Sequence, residues 1–255
     1  SYIKTPALLS RAENGKLTDA GNSMSPDIER VMSLNPDAIL LSPFENAGYG
    51  RIGKMGIPII ECADYLETSP LGRAEWIKFF GLLYGKEVEA DSIFTEVEKN
   101  YTELRDKIGV LSSAPVVISE LKSGSAWYMP GGKSYMARFF KDAGAAYPWS
   151  DNTETGSIPL SFETVFNRAG EADIWLIKSF HVSELSYRTL QKEYAPYARF
   201  KAFREKKIYG CDSSRCNYYE ETPFRPDLLL QELAALFHPG LFPDYRFRYY
   251  QPLSE

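Results

Sequence analysis

Four consecutive residues, Gly131-Gly132-Lys133-Ser134, have the types and order that end a phosphate-binding loop, G-x-x-x-x-G-K-[ST]. Such a loop wraps backbone N–H groups around phosphates and needs a small residue at its first position. With Gly132 as the second glycine, that position is 127, and Trp127 stands there. An indole blocks the wrap. The stretch "SAWYMPGGKSYMARFF" therefore reads as a strand, a Pro-Gly-Gly turn and a helix. Pro130 fixes φ, the glycines permit positive φ, and Met136, Phe139, Phe140 and Ala143 recur at helical spacing. Adjacent strand residues face opposite ways, so of Trp127 and Tyr128 one is expected to face a ligand and the other to pack inward. The helix would direct its N-terminus, with its positive dipole, to the same place, with Lys133 beside it.

Other reactive residues are few. Cys211 and Cys216 share the polar loop "CDSSRC" and are expected to pair in an oxidising compartment. No C-x-x-C occurs, and the third cysteine is Cys62. Of the two histidines, His238 in "FHPG" stands where a helix should stop, which suits a cap better than a metal ligand. No metal site is expected, since one would need mostly carboxylates and thiols. No G-x-S-x-G, H-E-x-x-H or G-x-G-x-x-G is present, and Glu220-Glu221 reads as a solvated face.

A net charge of −5 with no basic tract gives nucleic-acid binding little electrostatic support. No apolar run approaches the ~20 residues of a membrane span, and no signal peptide is read in the chain. Seventeen tyrosines and four tryptophans suit a protein that stacks on a flat or greasy ligand, although cores use aromatics too.

The elements that must position these residues alternate. In "MSPDIERVMSLNPDAILLSP", Ser25 is expected to cap a helix with Pro26 at its first position, and "DAILLS" follows as a buried strand. "GYGRIGKMG" reads as a short helix and "IPIIEC" as a second buried strand. Continuous apolar strands joined through helices predict a parallel sheet covered on both faces. A helix from Ser69-Pro70 runs to Gly85. A second, to Gly109, carries Ala90, Ile93, Phe94, Val97, Tyr101, Leu104 and Ile108 on one stripe and would span about 34 Å, enough to bridge two lobes. After it come strands "APVVISEL" and "SAWYMP", a helix over 133–144, the short helix "SFETVFNRAG", the strand "ADIWLIKSF", broken helix over 183–205, the strand "KKIYGCD" and a last helix starting at Pro226. The expected class is α/β: an N-terminal lobe over 1–68, a helical segment over 69–109 containing the inter-lobe backbone helix, and a C-terminal lobe over 110–255.

"PDIERVMSLNPDAILLS" with "MGIPIIE", then "AWYMPGGKSYMARFFKDAGA" and "LSFETVFNRAGEADIWLI", resemble in order and spacing the bacterial ABC-transporter substrate-binding proteins of the helical-backbone class. The resemblance covers roughly residues 20 to 240. It implies two α/β lobes joined by a long helix, a ferric siderophore, haem or cobalamin in the cleft between them, and delivery to an ABC permease and its ATPase. It implies a periplasmic protein or cell-envelope lipoprotein, a monomer that holds no cofactor of its own and binds no nucleic acid. The family's first lobe opens with strands ahead of the segment matching "TDAGNSMSP". Nothing here reads as those strands, so either a trimmed chain or an incomplete first lobe is expected.

In this architecture ligand sits at the carboxyl ends of the strands. The loops there carry Met24, Phe44, Tyr49, Arg51 and Tyr65 from the first lobe, and Trp127, Tyr128, Lys133, Phe180, Arg215, Tyr218 and Tyr219 from the second. Aromatic walls suit a planar or hydrophobic chelate, and Lys133, Lys178, Arg51 and Arg215 suit carboxylate or catecholate groups. The resemblance further implies one permease-docking glutamate per lobe: Glu163 in the second, and Glu45, or its rival Glu29, in the first. An enzyme of chelatase or transferase type using the same cleft is the alternative, with His181 as proton acceptor. A module without a small ligand is a third, which an apolar-filled cleft would favour.

Overall fold

The apolar runs "AILL" and "PIIE" pair side by side and in parallel. In the computed structural model, which describes residues 3–22, 25–43, 49–180 and 185–255, two compact units divide the chain at Glu67 and Thr68.

The first unit carries helix α1 (Pro6–Glu13), a two-residue antiparallel ladder of β1 (Gly21–Asn22) on β2 (Ser25–Pro26), helix α2 (Ile28–Leu34) and strands β3 (Ile39–Leu41) and β4 (Ile59–Glu61). The cap of α2 is Asp27, whose carboxylate accepts the Arg30 N–H at 3.1 Å. Ser25 and Pro26, expected to start that helix, pair in a strand instead. Ile39 faces Ile59 in a two-stranded parallel sheet, and among the described residues between the strands the helical element is the 3₁₀ turn Ile52–Lys54. These strands are half-buried and Leu40 is exposed, against the expectation of full burial. Among the described residues of this unit the buried apolar side chains are Val31, Ile52 and Cys62, a thin core that suits a chain this short.

The second unit opens with α3 (Pro70–Leu83), capped by Ser69 through the Gly72 N–H at 3.3 Å. Gly85, at φ +62°, turns the chain into α4 (Glu87–Ile108). Burial of Ala90, Phe94, Val97, Tyr101 and Ile108 follows the predicted stripe, while Ile93 lies outside it. The stripe packs on α3 and α10 (Pro226–Phe237), inside the second unit. Its parallel strands are β5 (Val117–Ser119), β9 (Ile174–Ser179) and β10 (Ile208–Asp212), in the order β10-β9-β5, with β11 (Gln251–Pro252) antiparallel on the β10 edge. Central β9 reads Ile-Trp-Leu-Ile and is buried on both faces.

Strand β7 (Ala126–Pro130) does not join that sheet. It lies between β6 (Lys122–Ser123) and β8 (Ser157–Leu160) in an antiparallel sheet, with Trp127 opposite Leu160. The link from β5 to β7 is too short for the crossover that a parallel neighbour needs, and a hairpin is what remains. Helices α5 (Tyr135–Asp142), α6 (Phe162–Ala169), α7 (Tyr187–Glu193), α8 (Lys201–Arg204) and α9 (Tyr218–Glu221) complete the unit. The aromatic centre is Trp127, Trp175, Tyr197 and Phe200, with ring pairs 5.2–5.7 Å apart where they meet.

Candidate functional site

The carboxyl ends of β5, β9 and β10 open onto one cavity of about 800 Å³, wholly within the second unit. Its wall comes from Glu120 and Lys122 beyond β5, Tyr128 on β7, Ser134 to Met136 at the start of α5, 155–157 at β8, Lys178 to Phe180 at the end of β9, and Ser213 and Tyr219 beyond β10. Strand ends in an open parallel sheet leave such a crevice because the chain departs in different directions there.

Glu120 is set by its backbone. It takes φ +64°, its N–H donates to the Leu176 carbonyl at 2.8 Å, and its carbonyl accepts the Trp175 indole N–H at 2.8 Å. Its carboxylate pairs with the Lys178 ammonium at 2.8 Å. Lys178 also stands 5.8 Å from the centre of the Tyr218 ring. Burial alone would lower the Lys178 pKa, but the Glu120 carboxylate outweighs it and holds the ammonium well above its ordinary value. The same burial raises the Tyr218 phenol, against the pull of Lys178.

Tyr128, Phe180 and Tyr219 expose their rings on this wall. Tyr135 joins them, with its edge on Phe139 at 5.0 Å and the Arg73 guanidinium 5.4 Å from its centre. Ser134 lines the cavity while capping α5 through the Ala137 N–H at 3.2 Å.

The pair Trp127 and Tyr128 divides between the two faces of β7. Tyr128 is half exposed, whereas Trp127 is wholly enclosed, its indole N–H donating to the Ser119 carbonyl at 2.9 Å. Trp127 is therefore core and not a ligand wall. Tyr218 is a second correction: it is buried against Tyr219, Tyr249 and Tyr250, behind Lys178. Lys133 is exposed but does not line the cavity. Arg215 pairs with Asp212 at 3.4 Å and faces a neighbouring cavity of about 450 Å³, with Cys216 and Arg248. In the first unit the Tyr49 hydroxyl donates to Glu61, whose hydrogen bond lifts that phenol to about 12, the Tyr65 hydroxyl donates to the Pro43 carbonyl, and Arg51 is exposed. Met24, Phe44, Glu45 and His181 lie outside the described residues.

The resemblance to a phosphate loop has a local cause. The Gly131 N–H donates to the Gly156 carbonyl at 2.7 Å and the Lys133 N–H to the Glu154 carbonyl at 3.0 Å. A side chain at Gly131 would strike the Glu154 and Gly156 carbonyls, and one at Gly132 those of Trp149 and Asn152. The glycines let the segment 149–156 lie against the turn, and those N–H groups are already used.

Cys211 and Cys216 are thiols here, not the expected disulfide, with sulfurs 3.8 Å apart. The hydrogen bond between them lowers Cys216 to about 7 and raises Cys211. His238 ends α10, and its ring meets the Ala143 carbonyl at 3.1 Å. Among the described residues no cluster of three or more His, Cys, Asp or Glu is placed to hold a metal ion. Glu163 is exposed in the first turn of α6, behind the Ser161 cap at 3.1 Å, and Glu29 is exposed in the first turn of α2. Sequence reasoning missed Glu120. The available signal was its place one residue beyond the apolar run "VVIS", at a strand's carboxyl end.

Comparison with known proteins adds ancestry. A profile of the family described as "Periplasmic binding protein" matches residues 1–214. An uncharacterized lipoprotein of Methanocaldococcus jannaschii is 31% identical over 239 residues, covering 89% of this chain and 54% of the relative. A second lipoprotein of that organism is 26% identical, covering 98% of this chain and 65% of the relative. The chain thus spans a little over half to two thirds of these curated relatives. A periplasmic heme binding protein from Pseudomonas aeruginosa shares the fold at a TM-score of 0.70 and 18% identity, with 94% of this chain and 83% of that one covered. The apo periplasmic heme-binding protein RhuT from Roseiflexus sp. RS-1 does so at 0.69 and 21%, covering 93% and 89%. A Staphylococcus aureus protein solved with heme does so at 0.66 and 20%, covering 86% and 83%.

Proposed function

The chain belongs to the periplasmic binding protein family, and from that premise we propose that it captures a metal chelate (ferric siderophore, haem or cobalamin) and passes it to an ABC permease in the cell envelope. Members of the family bind solutes rather than transform them, which removes the chelatase alternative. The observation that carries the reading is the cavity at the carboxyl ends of β5, β9 and β10, with the rings of Tyr128, Phe180 and Tyr219 exposed on its wall. Its volume of about 800 Å³ lies in the range of pockets that enclose whole ligands. Exposed aromatics in a concave site suit a flat or greasy ligand, and the same rings on a convex face would serve nothing.

Supporting the location, the relatives include lipoproteins, and no helix among the described residues is long and apolar enough to cross a membrane. Glu163, with Glu45 or Glu29, is the proposed permease contact.

Mass spectrometry of freshly purified protein, followed by titration with haemin, a ferric hydroxamate and cobalamin, tests the reading. One of them should bind, and Tyr128→Ala or Phe180→Ala should weaken it about two- to tenfold, the worth of a stacked ring. Binding indifferent to both substitutions would place the ligand elsewhere.

A further inference from the structure

Glu120 holds a backbone conformation that favours glycine, and it does so on the wall of the cavity. Among the described residues, Asn35, Glu120 and Lys206 are the non-glycine positions of positive φ. Asn35 closes α2 and Lys206 follows α8, both in surface turns. Glu120 has no helix to end. A strained residue fixed by two backbone hydrogen bonds at a binding wall points to a use for its side chain.

The geometry says which part of the pair a ligand meets. The Glu120 side chain is 25% exposed and that of Lys178 is 17% exposed, with the ammonium set toward the Tyr218 ring. The carboxylate is thus the outer partner. One of its oxygens, Oε1, holds Lys178, while Oε2 accepts no hydrogen bond among the described residues. The other cation on the wall, Lys122, is turned to the Gly124 carbonyl and the Tyr194 ring. Glu193 adds a further carboxylate. Among the described residues the wall's two ammonium groups are thus engaged, and its carboxylates stand among serine and tyrosine hydroxyls that can donate or accept.

We propose that Glu120 sets the selectivity of the cavity: its outer carboxylate oxygen accepts a hydrogen bond from an amide, hydroxyl or ammonium group on the rim of the chelate and repels a carboxylate there. Lys178 is the positioning residue, supplying the counter-charge and fixing the carboxylate's direction. The assignment rests on the chelate reading above and deepens it. An anionic rim group near Lys178 would meet the Glu120 carboxylate beside it and compete with it for the one ammonium.

Three pairs of probes test this, each a chelate with a neutral or cationic rim against its carboxylate form: the bis-amide of haemin against haemin, ferrioxamine B against its succinylated form, and cobalamin against its monocarboxylate. In whichever pair binds, the wild-type protein should prefer the first member about tenfold or more, the worth of a hydrogen bond to a charged group. Glu120→Gln leaves Lys178 without its counter-charge, so the carboxylate form should tighten and the ratio fall to about one or below. Glu120→Gly suits φ +64° and should keep the fold while the ratio collapses equally. A ratio unchanged in both variants, or a wild-type preference for the carboxylate form, overturns the selectivity role and leaves the chelate reading standing. Folded wild-type protein that binds none of the six probes overturns both.

Discussion

Trp127→Ala separates the two residues that the strand β7 places side by side. Trp127 has no exposed surface, and it meets Trp175 at 5.3 Å and Tyr197 and Phe200 at 5.7 Å. Truncating a buried Trp to Ala costs about 3–5 kcal/mol through lost transfer energy and the cavity left behind. The Ser119 carbonyl also loses its indole donor at 2.9 Å, a further cost of about 1–3 kcal/mol if it stays dry. The total, about 4–8 kcal/mol, is a large share of a typical stability of about 5–15 kcal/mol. With a urea slope of about 2–3 kcal/mol/M, the midpoint should fall by about 1.5–4 M. Tyr128→Ala removes a half-exposed ring and should move the midpoint by little, within the ±0.5 kcal/mol usual for surface changes, while weakening chelate binding. Urea melts followed by circular dichroism, with titrations on the folded fraction, read both quantities. If Trp127→Ala kept the wild-type midpoint and lost affinity instead, the indole would be a ligand wall and its assignment to the core wrong.

Reduced, denatured protein should titrate three thiols, and after exposure to oxidised glutathione only that of Cys62, as Cys211 and Cys216 pair, with closure of so short a loop adding about 2 kcal/mol of stability. Three thiols persisting after oxidation would show that the 3.8 Å gap does not close. Glu163→Arg should abolish uptake in cells and leave chelate affinity as it was; equal loss of affinity would refute permease docking. Burial would raise the Glu221 pKa, but hydrogen bonds from Arg248 and Tyr249 and the nearby arginine charges prevail and hold it below its usual value. Its contribution to stability is therefore present above about pH 4.3, where the unfolded carboxylate is ionised, and is lost as pH falls through the lowered folded value. Glu221→Gln should flatten that acid limb of a stability-versus-pH curve, and an unchanged limb would refute the assignment.

Long, strongly patterned elements were legible. The stripe of α4, the cap Ser69 with Pro70, the strands around "VVIS" and "IWLI", and Pro226 opening α10 each carry a local cause that tertiary packing had only to ratify. Short elements were not. The strand β8 reads Ser-Ile-Pro-Leu, and β6 and β11 have two residues each, so nothing periodic marks them. Missing β6 and β8 hid the antiparallel sheet, and with it the reason β7 leaves the parallel one. The cap of α2 shifted from Ser25 to Asp27 because Pro26 was taken into a strand pair that composition does not announce.

The site was legible in outline because strand ends are visible and aromatics beyond them are conspicuous. What could not be read was which side of each loop residue turns outward. Alternation along β7 demanded that Trp127 and Tyr128 split, yet it could not say which faces in; the outcome follows from Trp175, on the parallel sheet, offering a ring to pack on and Ser119 the acceptor. Tyr218 and Tyr219 split for a different reason. They start α9, where successive residues lie about 100° apart, so one turns under Lys178 and the other stays at the wall. Glu120 escaped notice because a single acid after a buried strand looks like the start of a solvated loop. Its role emerges only once Leu176 and Trp175 are seen to fix its backbone and Lys178 to stand beneath it. All three partners come from one strand, β9, more than fifty positions later in the chain. Pairing at that distance is a property of the sheet order, and the residues that share a strand end become neighbours only when that order is known.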